Sequence, residues 1–100
     1  MADFLLLMHG DYDQRTQSED WQPYLDALIA VGALRGGSAI GPGLCVRRSG
    51  SIPNVSQHLV GYVKVEARDL SHARELVLGN PVYEAGGTVE IRELPITDQG

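Results

Sequence analysis

Residues 57–67 read Gln-His-Leu-Val-Gly-Tyr-Val-Lys-Val-Glu-Ala. Side chains along a strand alternate between the two faces of a sheet. On that period Leu59, Val63, Val65 and Ala67 point one way, and His58, Val60, Tyr62, Lys64 and Glu66 the other. The first set is apolar and suits a core. The second mixes Val60 and Tyr62 with charge, which suits neither open water nor a core of the chain's own making. Such a strand belongs in a sheet that its own helices cover on one side only.

The flanking sequence fits the same sheet. Downstream, Asp69 is placed to cap a helix whose buried stripe is Leu70, Ala73, Leu76 and Val77, and Gly79-Asn80-Pro81 ends it. Thr88 to Arg92 then alternates as a last strand, with Val89 and Ile91 inward and Glu90 and Arg92 on the opposite face. Upstream, Ser49 to Ser56 is a loop by composition. Leu34 to Ile40 forms a strand that Gly36 and Gly37 weaken and Gly41-Pro42-Gly43 breaks; Leu44-Cys45-Val46-Arg47 is expected to resume it after a kink. A first helix starts near Ser18, with Glu19 and Asp20 in its first turn, or at Asp20 or later if Pro23 is to sit in that turn. Its stripe is Trp21, Tyr24, Leu25, Leu28 and Ile29, and Gly32 stops it. Phe4 to His9 is an unbroken apolar run, which predicts a strand covered on both faces.

The predicted order is β-α-β-β-α-β, an α+β chain of ferredoxin-like form. Two helices lie on one face of a four-stranded antiparallel sheet. The other face then needs a partner, and a second copy packed sheet to sheet would supply it. One hundred residues make a single domain, 1–100, with a flexible tail over about 96–100.

Composition narrows the partners. The chain is 43% hydrophobic and 21% charged, with net charge −5. Binding to nucleic acid requires clustered cations. The eight Lys and Arg are scattered and only Arg47-Arg48 are adjacent, so no nucleic-acid partner is expected. Phe4 to Met8 is too short for a signal sequence or a membrane span, so no membrane partner is expected either. A lone cysteine, Cys45, fits a reducing compartment, and the expected location is cytoplasmic.

Four stretches resemble the YCII-related (DGPF-domain) family: residues 4–11 (FLLLMHGD), 32–43 (GALRGGSAIGPG), 57–67 (QHLVGYVKVEA) and, most specifically, 79–95 (GNPVYEAGGTVEIRELP). The resemblance implies a ferredoxin-like fold, a dimeric α/β barrel and a polar pocket near the sheet interface. It also implies kinship with lactone isomerases, cofactor-free monooxygenases and dehalogenase-like proteins. Two features depart from it. The Asp-Gly-Pro-Phe motif is replaced by Ile52-Pro53-Asn54-Val55, and the first helix carries no His to pair with Asp26. A His–Asp dyad is therefore not carried over.

The candidate site residues come from strand ends and the uncovered face. His9 stands where the first strand turns and could serve as a general base near neutral pH, with Asp11 to orient it. His9-Gly10-Asp11-Tyr12-Asp13 also reads as a nonspecific metal-binding run, but no metal is expected. Arg35, His58, Tyr62 and Arg92 are candidate ligand-binding residues. The bland alternatives are interface packing for His58 and Tyr62 and solvation for Arg92, while the kink leaves the face of Arg35 open. No nucleotide-cradle, nucleophile-elbow or Cys-x-x-Cys motif is present, and no cofactor is expected. Two functions stay open. One is a homodimer that binds a small organic acid or metabolite. The other is a cofactor-free isomerase or lactone hydrolase with His9 as base and Arg35 or Arg92 as anion clamp.

Overall fold

The computed structural model describes residues 1–13 and 21–96. The elements run β1 (Ala2–His9), α1 (Trp21–Ala30), β2 (Leu34–Ala39), β3 (Leu59–Ala67), α2 (Leu70–Glu75), α3 (Pro81–Glu84) and β4 (Val89–Leu94). The four strands form one antiparallel sheet in the order β2-β3-β1-β4, so the chain is α+β as expected. No helix among the described residues is long and apolar enough to cross a membrane.

One face of the sheet builds the core. Phe4, Leu6 and Met8 of β1 and Val63, Val65 and Ala67 of β3 are buried together with Tyr24 and Leu28 of α1, Ala73 of α2 and Val82 of α3. Val89 and Ile91 pack against this cluster from β4, as their parity predicts. Burying each of the Val, Leu, Met and Phe side chains among them contributes about 1.5–3 kcal/mol. On the opposite face, register aligns Leu5 with Lys64 and Arg92, and Leu7 with Tyr62 and Glu90. Leu5 and Leu7 are half-buried there. The apolar run of β1 is thus not enclosed by helices on both sides: one of its faces meets the core, and the other is the open sheet face.

The helix ends follow local chemistry. Gly32 takes φ 73° after α1, and the Ala33 amide donates to Leu28 O at 2.9 Å, closing the helix. At α2, Asp69 Oδ1 accepts from the His72 amide at 2.8 Å, while His72 Nδ1 accepts from the Arg68 amide at 3.0 Å. A ring nitrogen that accepts is unprotonated. Asn80 is fully buried and caps α3, its Oδ1 accepting from the amides of Val82 at 2.9 Å and Tyr83 at 3.2 Å.

Several expectations are corrected. Among the described residues there are three helices, not two. Pro81 does not merely end α2: its missing N–H and fixed φ suit a first helical position, and with the Asn80 cap it opens α3. Leu70 and Ile29 are 57% and 58% exposed and leave their predicted stripes. Ser18 and its first turn lie outside the described residues. The β3 alternation fails at Val60. A register shift between Met8 and His9 sets Leu59 opposite His9, and Val60 packs against the core instead of standing on the open face. Leu44 to Arg47 does not resume a strand. Residues 40–58 contain no helix or strand, because Pro42, Pro53 and the glycines deny the ladder its donors and its stiffness.

Candidate functional site: an apolar cleft and a histidine–glutamate cluster

Two features stand out. The first is a cleft of about 600 Å³ between α1 and the β2–β3 side of the sheet. Its walls include Met8, Tyr12, Trp21, Leu25, Leu34 and Val82, and its floor is the backbone of Gly36, Gly37 and Gly61. That volume falls in the range of small-molecule sites, and the lining is mainly apolar. The glycines create the hollow. A Cβ at Gly37 would stand 2.9 Å from Tyr62 O, and one at Gly61 would stand 3.3 Å from Met8 Cε. Trp21 and Tyr24 meet edge to face with centroids 6.0 Å apart, which sets the Trp21 ring along the α1 wall. Tyr24 is itself fixed by donation of its hydroxyl to Leu76 O at 2.6 Å. Burial pushes the Tyr24 phenol pKa above its ordinary value, so it stays protonated as a donor.

The second feature is a polar cluster on the open face, where β1, β3 and β4 end together. His9 Nε2 lies 3.0 Å from Glu90 Oε1, and Arg92 Nη1 lies 3.1 Å from Glu90 Oε2. The carboxylate therefore bridges an imidazole and a guanidinium. The His9 ring donates to it, and together with Arg92 holds the Glu90 pKa below the ordinary carboxylate value. An ionised carboxylate only accepts, so Nε2 of His9 carries the hydrogen of this bond. His58 completes the cluster, its ring edge-on to His9 with centroids 4.9 Å apart.

The other candidates distribute differently. Asp11 does not hydrogen-bond to His9. Its Oδ1 and Oδ2 accept from the amide and hydroxyl of Thr88 at 2.8 and 2.6 Å, and the hydroxyl bond is the main reason its pKa lies below the ordinary value. The orienting carboxylate is Glu90, which sequence alone placed on the correct face but did not pair. Arg35 follows Leu34 and precedes Gly36, two residues of the cleft. Its guanidinium reaches Glu66 at 2.9 Å and the backbone carbonyls of Gly32 and Leu34. Tyr62 is the one predicted ligand residue that also lines the cleft. His9, His58 and Arg92 do not line it. Among the described residues no group of three or more His, Cys, Asp or Glu is arranged to hold a metal ion.

No protein-family model matches the chain, and no curated protein sequence matches it.

Proposed function

We propose that this chain is a small-molecule-binding protein, similar to the YCII-related family, and that it works as a ferredoxin-like unit of a homodimeric α/β barrel. The strand order β2-β3-β1-β4 with antiparallel neighbours supports the ferredoxin-like reading. The half-buried leucines on the open face support a second copy as its cover.

The observation that carries the proposal is the cleft. It is large enough for a molecule of about 10–20 heavy atoms and too apolar to hold a highly charged one. A small organic acid fits best. Its hydrocarbon or ring would lie between Trp21, Leu25 and the glycine floor.

Trp21 is the sole tryptophan, and its fluorescence reports on the cleft directly. Titration with a panel of small aromatic and branched-chain carboxylates, each paired with its methyl ester, should give saturable changes with the acids favoured. Gly37→Ala, whose Cβ crowds the floor, should abolish the response. A flat response to every member of the panel at millimolar concentration would end the reading.

The His9–Glu90 bond favours a second reading, a cofactor-free hydrolase or isomerase. Glu90 fixes the ring, and in the neutral imidazole Nδ1 is then the basic atom, which would take a proton from water or from a carbon acid beside a carbonyl. Hydrolysis of simple lactones, lost in His9→Gln and strongly reduced in Glu90→Gln, would distinguish this activity from binding alone.

A further inference from the structure

Residues 40–58 form an arm. All of them are exposed except Cys45, and among the described residues no backbone–backbone hydrogen bond involves 41–57. The tip is closed by Arg47, whose Nη1 donates to Ser51 O at 2.7 Å. The base is tied to the sheet by Ile40 N to Val60 O at 3.0 Å and Gly10 N to His58 O at 2.7 Å. The radius of gyration is 15.0 Å, against about 13 Å for a compact domain of this length. Connections this long without secondary structure are uncommon and usually functional.

The arm is also the wrong composition for solvent. Leu44 and Val46 are 79% and 86% exposed, and Ile52 is exposed as well. Its charge opposes that of the rest of the chain. It carries two of the eight Lys and Arg, Arg47 and Arg48, and none of the thirteen acids, which leaves six cations against thirteen acids elsewhere.

We infer that the arm clasps a second copy of this chain, laying its apolar side chains and its Arg47-Arg48 pair over the acidic body of the partner. This rests on the homodimer proposed above and adds to it. Four strands about 4.8 Å apart and six to nine residues long present on the order of 450 Å² of sheet face in projection. A stable interface requires roughly 800 Å² from each partner. A sheet face of that footprint makes a small interface by itself, and a reciprocal pair of arms enlarges it. The arm springs from the ends of β2 and β3, so it reaches the partner from the margin of the same face.

Sedimentation velocity of the intact chain, of Leu44→Ser/Val46→Ser/Ile52→Ser and of Tyr62→Asp separates the two interfaces. The intact chain should dimerise at micromolar concentration. The triple variant, altered only at exposed positions, should keep the parent circular dichroism and weaken dimerisation at least tenfold. An unchanged dissociation constant overturns the clasp, and weakening by Tyr62→Asp alone would leave the sheet-to-sheet dimer standing without it. Dissociation of the triple variant with Tyr62→Asp unaffected keeps the clasp and removes the sheet interface. A parent that is monomeric to about 100 μM overturns both. Trypsin gives a check without substitutions: cleavage after Arg47 and Arg48 should slow as protein concentration rises, and a concentration-independent rate overturns the clasp.

Discussion

His9 and Glu90 are 81 positions apart in sequence and 3.0 Å apart in space. The bond is a diagonal one. Glu90 stands opposite Leu7 in the β1–β4 ladder, and His9 reaches it across the strand pair from two positions along. The same ladder sets Asp11 beside Thr88, so the end of β1 is held to β4 by two carboxylate contacts in succession.

The first prediction concerns acid. His9 is the leading cause of the low Glu90 pKa. A carboxyl depressed in the folded state contributes stability that is fully present above its unfolded pKa and is lost as the pH falls through the folded value. In His9→Ala the Glu90 carboxyl should rise toward its ordinary range, and the acid limb of the stability curve should become less steep. Carbon-13 NMR titration of the glutamate carboxyls measures the first effect and urea melts between pH 2 and 6 the second. An unmoved Glu90 titration would mean Arg92 alone sets it.

Gly37→Ala tests the floor of the cleft. The added Cβ would meet Tyr62 O at 2.9 Å, a backbone atom that moves only with the β2–β3 ladder. The expected loss is about 1–3 kcal/mol. Chemical denaturation checks it, and loss of the ligand response of Trp21 should accompany it.

Asn80→Ala removes the acceptor for two amides at the start of α3. The capping loss is about 0.5–2 kcal/mol. Part of that is offset, because Asn80 Nδ2 is buried with no hydrogen-bond partner among the described residues and the substitution removes this donor as well. The melting temperature should fall by roughly 2–8 °C. Asn80→Asp keeps the acceptors and should retain α3, but it places a charge at a fully buried position and should be the less stable of the two near neutral pH.

Val89→Asp places a carboxylate against the core cluster opposite Met8. The cost is several kcal/mol, most of the stability of a domain this size. The variant should be unfolded or molten by near-ultraviolet circular dichroism. A native melt would reverse the assigned parity of β4.

Much of this architecture was legible before any coordinates. Val63, Val65, Val89 and Ile91 announce their face because period-two patterning is local and survives any register. The position of His9 at a strand end was equally readable. Its partner was not, because patterning assigns Glu90 a face but not a rung, and the rung depends on how β4 slides against β1. Val60 was misplaced for a related reason: a bulge adds one residue to one strand, and nothing in Leu-Val-Gly marks where it falls. Helix α3 was hidden by Pro81, which reads equally as the end of one helix or the first turn of the next. The cleft was invisible, since the absence of side chains at Gly36, Gly37 and Gly61 becomes a hollow only when the three are brought together.

The strand order has a consequence for how the chain comes into being. β1 lies at the centre of the sheet, between β3 and β4, yet it is the first strand to be made. At roughly 5–20 residues per second, Phe4 to Met8 waits on the order of ten seconds from its synthesis until its last neighbour exists. During that time a short, uncharged, β-prone segment has no native partner on at least one edge, which is the profile of a nascent chain that relies on holdase protection. The centre of the finished sheet is thus the point of greatest exposure during synthesis, and the yield of folded protein should depend more on translation speed and chaperone supply than on the stability of the product.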